Sequence, residues 1–554
     1  MSVPFNKQLP KRIPKIPFKK LLDKHLKRNF ANRADFKESL SQAKKLELDT
    51  LEPRILLNAD IMALNLADPD GDIRNNDLLI RLFDETEEVN GQSIQKARIQ
   101  ILDNEGGTVL AFGDLADISA VQLTGSLGDD SFRIESSTLD QSASLSIILD
   151  GSEGTNNIIF DTQRDTSWTI DGENQGTASD GVIQVTFNDI QNLAGAADNN
   201  DTFVLNEEGT LEGILDGGDA GYDTLIANKA ASSVAYQATG ETSGILSLND
   251  ETIQFTGLEP VSIGTVDVAS VSIQLDADSY DSYTAVLEAD STGVHDLVLR
   301  PHTDYSGAFE SLEFNVPTSA LTITSPTDHV KLEINAFNTS VSNADISALT
   351  ITVNTEEIVL GESASLGSLG GELAKVELKA ENNLAIISDA NTSLSTLTNN
   401  FSTADTVLKS GVTVDGKIYA TGDVLLSALS SVTANIAKIN GNIVYSFDSA
   451  ARLANVEAGI SVGSAAVISA GAAVKIKADT SIDIEVDGEA AVAKMSATAK
   501  SRSSVTVAGG AIISYGPTSS PDTGIDATTT SVIIAKDVTD IDIKLGPENA
   551  ETGI

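Results

Sequence analysis

The sequence predicts an all-β chain, an extended parallel β-helix or β-solenoid, with a short, partly helical basic arm at its N-terminus. Three observations predict it. Short runs of alternating apolar and polar residues recur from residue 62 onward, separated by Gly, Asp and Asn; that is the pattern of strands with one buried face. A motif returns near the C-terminus at steps of 48 and 45 residues: Val412-Thr413-Val414, Ile460-Ser461-Val462 and Val505-Thr506-Val507. Such periods mark stacked supersecondary units. Aromatic residues are few, one Trp, eight Tyr and sixteen Phe in 554 residues, while Ser, Thr, Ala, Val, Ile, Asn, Asp and Gly dominate. That mixture suits closely stacked strands joined by polar turns.

Residues 1–50 carry 13 Lys/Arg against 5 Asp/Glu. Phe18, Leu21, Leu22, Leu26 and Phe30 share one helical face behind Pro17, a favoured first helical residue. Asp35 with Glu38 has the spacing of a capping box for a second short helix. We read this arm as a solvated basic tail with transient helix; the alternative is an amphipathic segment that meets an acidic partner or an anionic membrane surface. Residues 51–61 form a junction, and Pro53 ends any helix there.

The body divides by pattern into 62–262, 263–409 and 410–554. In the first two stretches Ala97–Leu102, Leu145–Leu149, Leu321–Thr324 and Val330–Ile334 are examples of strands. In the third, each of the first two repeats continues to a second strand, Val424–Leu426 and Val474–Ile476, giving two strands and two turns per coil. Ile482, Ile484 and Val486 alternate with Asp483, Glu485 and Asp487, one face in and one face out. A string of β-sandwiches is the weaker alternative, because a sandwich core is usually bulkier than this stretch offers. The end at Lys544–Pro547 shows no evident cap, so the chain is expected to be the N-terminal portion of a longer protein or a truncated product.

Net charge is −44, and residues 51–554 alone carry −52. So acidic a body repels nucleic acid and anionic lipid, which excludes nucleic-acid binding by it. No apolar stretch approaches the roughly 20 residues of a membrane helix, and no apolar region follows the basic arm as in a cleavable signal. Cysteine is absent, so no disulfide or thiolate metal site exists.

The local motif with most chemical content is Gly125-Ser126-Leu127-Gly128-Asp129-Asp130-Ser131-Phe132. It resembles the glycine-rich calcium-binding turn of RTX repeats, in which glycines free backbone carbonyls, an Asp supplies a hard oxygen, and an apolar residue buries the next strand. The resemblance assigns the ligand role to Asp130, with Asp129 beside it. Worn copies follow at Gly151–Ile158, where Asn156 takes the carboxylate position, at Gly195–Phe203 with Asp201, and at Gly217–Leu225 with Asp219 and Asp223. The glycine starts are spaced by 26, 44 and 22 residues instead of nine, so a continuous calcium roll is not expected; each copy reads as a plain turn first and a calcium site second. Asp68-Pro69-Asp70-Gly71-Asp72 fails the EF-hand pattern, with Ile73 where Gly belongs and Leu79 at the twelfth position. His295 and His302 flank Asp296 and Asp304 without any metalloprotease, nucleophile-elbow or phosphate-loop motif, and read as loop histidines.

Leu51-Glu52-Pro53-Arg54-Ile55-Leu56-Leu57 resembles the LEPR-XLL motif found near the N-terminus of large repetitive surface and secreted proteins of Gram-negative bacteria. That resemblance implies an adhesin-like protein. It implies an extracellular or cell-surface location, export by type I secretion machinery, and an extracellular-matrix, host or biofilm component as partner. With the composition, it leads to a non-catalytic structural and adhesive function with calcium as a stabilising ion. The competing expectation is a calcium-assisted polysaccharide lyase or hydrolase on a β-helix, which requires acids and a Lys or Arg in one groove; a gene remnant with worn repeats is a third.

Overall fold

The structure is a computed structural model that describes residues 61–66, 74–89, 92–104, 107–137, 145–264, 268–275, 282–325, 329–335, 345–388, 408–436, 452–487, 495–516, 524–536, 541–547 and 551–553. The chain divides into two compact units, Met1–Arg54 and Ile55–Ile554. The expected helical arm, the 51–60 motif and the acidic turn at 68–72 lie outside the described residues.

The second unit is a parallel β-solenoid, and the described residues are nearly all strand, turn or bend. A strand of one sheet leads through a corner to a strand of a second sheet, and the next coil stacks on both. Ala120–Thr124 leads to Ser131–Ser136; Leu145–Asp150 and Asn157–Thr162 form the next coil in parallel register, with Val121 opposite Ile147 and Phe132 opposite Ile158. The alternation read from sequence is the reason. Every second residue turns inward, so Val121, Leu123, Phe132, Ile134, Ile147, Leu149, Ile158 and Phe160 are fully buried. A slip of one residue would turn this whole set outward, so the core fixes the register. Aromatics are few but concentrated: Trp168 stacks on Phe203 at 5.4 Å and meets Phe160 edge-on at 5.9 Å.

The stack is not purely parallel, which the sequence pattern did not predict. Among the described residues the chain doubles back four times through three antiparallel strands: at Asp77–Val89, Gln92–Asp103 and Thr108–Asp114; at Ser167–Gly172, Gln175–Ser179 and Ile183–Asn188; at Ser233–Ala238, Gly244–Leu248 and Glu251–Thr256; and at Ser282–Ala289, Leu297–Pro301 and Leu312–Phe314. Successive excursions fall on alternate sheets. Each sheet therefore gains the same number of extra rungs, which lets later coils stay level. Polar turn residues make the reversals: Asn174 and Asn249 take φ of 54° and 56°, a left-handed conformation that Asn tolerates.

From residue 357 the coils gain a third face. Ser365–Leu366, Lys417–Ala420, Val467–Ala470 and Ile512–Tyr515 form a four-stranded sheet of their own. The repeat at 412, 460 and 505 is the stacking register itself: Val412 lies opposite Ile460, and Ile460 opposite Val505. The third strand of each of these coils was not foreseen; its two to four residues are too few to show a period. Past the triangular core the long strands carry a polar column, Asn382, Ser430, Thr480 and Thr529, one per coil. Ser430 Oγ donates to Ser410 Oγ at 2.8 Å, so these buried hydroxyls satisfy one another.

Candidate functional site

Asp130, singled out by the turn motif, sits immediately before the strand Ser131–Ser136 and is fully buried. Its carboxylate accepts from the Asn76 backbone N–H at 2.9 Å, the Asn76 amide at 2.7 Å, the Ser126 backbone N–H at 2.6 Å and the Ser126 hydroxyl at 3.2 Å. Its own N–H donates to Asn156 Oδ1 in the next coil, and the Asn156 N–H donates to Gln191 Oε1 in the coil after that. Asn76, Asp130, Asn156 and Gln191 all occupy the residue before a strand of the second sheet. They form a ladder in which the side chains of Asp130, Asn156 and Gln191 each clamp the backbone of the preceding coil.

The opposite corner repeats the device. Thr166, Asp201 and Asp223 each precede a strand of the first sheet. The Thr166 N–H donates to Asp201 Oδ1 at 2.7 Å, and the Asp201 N–H to Asp223 Oδ1 at 2.6 Å. Asn199 Nδ2 and the Ala196 N–H complete the Asp201 carboxylate. Burial pushes the Asp201 carboxyl up to about 6, against the pull of its N–H donors. Burial likewise raises Asp223 to about 7, with the charges of Asp201, Glu259 and Asp216 adding to it. Glycine makes both corners: a Cβ on Gly125 would lie 2.4 Å from the Gly151 carbonyl oxygen, and one on Gly195 2.0 Å from Asp201 Oδ2. The glycines admit the folded-over side chain and the next coil, the service the turn motif had assigned to an ion.

Thus Asp130 stands in one ladder, Asp201 and Asp223 are brought together in another, and Asp129 and Asp219 are exposed. Asp129 Oδ1 accepts the Thr155 N–H. A calcium cage needs six to eight oxygens converging on one point. The carboxylates of Asp130 and Asp201 are instead surrounded by N–H and hydroxyl donors, so these two do not fit a resident calcium ion. Among the described residues no three His, Asp or Glu side chains are grouped to hold a metal.

Sequence reading missed a cleft. Where the third excursion meets the fourth, a cavity of about 250 Å³ is lined by Glu241, Glu259, Glu310 and Glu313, with Tyr222, Phe309 and Pro260 among its other walls and no Lys, Arg or His. Glu310 is 4% exposed, and burial with the nearby Glu259 pushes its carboxyl up to about 9. These glutamates gave no local signal in a chain of 80 acids. Next to the cleft, Ser262 and Glu313 lie side by side in register. His295 Nε2 is 3.0 Å from Ser262 Oγ, and His295 Nδ1 is 3.5 Å from Glu313 Oε2. This has the order of a nucleophile, base and orienting acid. However, Ser262 is 6% exposed at the centre of the strand Val261–Ile263, paired on both sides. The surrounding carboxylates also oppose the negative charge of an acyl-transfer transition state. We therefore assign His295 a structural place beneath the loop that begins at Asp290, whose carboxylate accepts the His295 and Val294 N–H groups. His302 faces Asp304, not His295.

No family model, curated protein or solved structure matches this chain.

Proposed function

We propose that the chain is a non-catalytic β-solenoid scaffold, the stalk or adhesive module of a secreted or cell-surface protein, acting through its length and its acidic surface. The observation that carries the reading is the filled interior: one apolar cluster runs from Met62 to Val505. The turn acids that could have served chemistry are spent on the corner ladders. Against the lyase alternative stands the cleft lining, which offers glutamates but no Lys or Arg to serve as the basic residue that abstracts the proton. Absence of cysteine suits passage through a narrow export channel, as in type I secretion. Calcium in this reading acts diffusely on the acidic surface, with Asp129 and Asp219 the turn acids open to it.

The test has two arms. Antibody labelling of intact producing cells, before and after surface proteolysis, should give a signal that proteolysis removes. A panel of acidic and neutral polysaccharides incubated with the purified chain should yield neither new reducing ends nor unsaturated products. Turnover of any of them at more than the rate of an unfolded control would overturn the reading.

A further inference from the structure

We infer that one corner of the solenoid is a docking site for a basic amphipathic protein segment, which places a bulky apolar side chain there with Lys or Arg beside it. The inference concerns this corner alone and does not need the scaffold reading. A cavity of about 370 Å³ opens where the loop 206–213 crosses from the strand Thr202–Leu205 to the strand Ile214–Asp216. Its floor is aliphatic, formed by the buried Leu205, Leu211, Leu248 and Ile253. Its rim carries the exposed Glu173, Glu212 and Glu251. A cavity of this size with an apolar floor and a few polar groups at its mouth has the build of a binding pocket.

Hydrogen bonds hold the walls of this pocket apart. The loop is pinned to the preceding coil, where the Thr210 N–H donates to the Gly172 carbonyl at 3.1 Å and the Asn174 N–H to the Thr210 carbonyl at 2.9 Å. It is pinned to the following coil by Lys229, whose Nζ donates to the Gly209 carbonyl at 3.2 Å and pairs with Glu251. Asn174 Nδ2 fixes Glu212 at 2.9 Å. The aliphatic floor therefore does not close on itself, and an apolar guest gains the contacts the floor lacks. Charge selects what flanks that guest. Lys229 offsets Glu251 alone, while Asp171, Glu207, Glu208 and Asp250 stand on the same wall segments, 171–174, 206–213 and 248–253, which hold no Lys or Arg. An acidic guest is repelled there and a basic one is drawn in. The sequence of this protein contains a segment of that chemistry: Phe18, Leu21, Leu22, Leu26 and Phe30, with Lys19, Lys20, Lys24, Lys27 and Arg28 among them. It supplies the probe.

Fluorescence anisotropy of a labelled synthetic peptide of residues 17–31, titrated with the full chain, tests this. In the protein Lys19, Lys20, Lys24 and Lys27 are each changed to Glu, so that the added peptide is the one basic amphipathic segment present. The peptide should saturate one site per chain. A peptide carrying Leu21→Ser, Leu22→Ser and Leu26→Ser keeps the charge and should bind at least tenfold more weakly. Thr252→Trp, at an exposed position in the lining, fills the mouth of the cavity and should weaken the parent peptide at least tenfold. Glu173→Gln, on the rim, should weaken it several-fold. Asp129→Asn, exposed at another corner, should change it less than twofold. Absence of a saturable site would overturn the inference. So would equal binding of the serine peptide, which would mean attraction by charge alone, or an unchanged affinity in both the Thr252 and Glu173 variants.

Discussion

Replacing Asp223 by Asn should stabilise the solenoid at neutral pH. Asp223 Oδ1 accepts the Asp201 N–H, and an amide oxygen can do the same: Asn156 already accepts the Asp130 N–H in the other ladder. What Asn removes is a buried charge surrounded by Asp201, Glu259 and Asp216. The unfolded chain releases this proton near pH 3.8 and the folded chain near 7. A folded pKa that is raised means stability is fully present below about 3.8 and lost as pH climbs to about 7. The gap of roughly three units, at about 1.4 kcal/mol each, sets a ceiling near 4 kcal/mol. We expect Asp223→Asn to gain about 1–4 kcal/mol at pH 8 and almost nothing at pH 4. Trp168 gives the assay. It is the single tryptophan, is fully buried, and follows Thr166, the first rung of this ladder. Urea unfolding followed by its fluorescence at pH 4, 6 and 8 compares variant and parent. A variant less stable than the parent at pH 8, or one with an unchanged pH slope, would refute the reasoning.

Asp130→Ala should cost several kcal/mol in the same assay, because it strands the part-buried N–H of Asn76 and the buried N–H of Ser126 at about 1–3 kcal/mol each. Gly125→Ala should cost about 1–3 kcal/mol, since its Cβ would meet the Gly151 carbonyl oxygen at 2.4 Å. Phe203→Ala, removing the ring stacked on Trp168, should cost about 3–5 kcal/mol and red-shift the tryptophan emission. Calcium and magnesium at equal ionic strength should move the Trp168 unfolding midpoint equally, because the ladder carboxylates face N–H donors; a calcium-specific shift would argue for a cage.

The solenoid was legible because its cause is local. Alternation in Leu145–Asp150, or the return of Val412 as Ile460 and Val505, states which side chains face inward and how far apart coils stack. Strand direction was not legible. An antiparallel excursion such as Ser233–Thr256 has the same period of two as a parallel coil, and only short polar reversals like Asn249-Asp250 mark it. The corner turns were found, but their chemistry was open, because Gly and Asp serve an ion and a backbone clamp equally well. The residue type at Asp201 and Asp223 could not say whether oxygens or N–H groups would surround it. The cleft was invisible for a different reason: its glutamates come from loops and strands far apart in sequence, and only the meeting of two excursions assembles them.

The most direct test of the account is cross-linking in a chain that has no cysteine of its own. Thr413 and Ser461 point outward on adjacent coils and lie opposite one another in parallel register. Neighbouring strands are about 4.8 Å apart, within disulfide reach. Cysteines at 413 and 461 should oxidise to an intramolecular disulfide in high yield, while cysteines at 413 and 457, four residues out of register on the same face, should not. Equal yields from both pairs, or a failure of the first, would contradict stacked coils in the register described here.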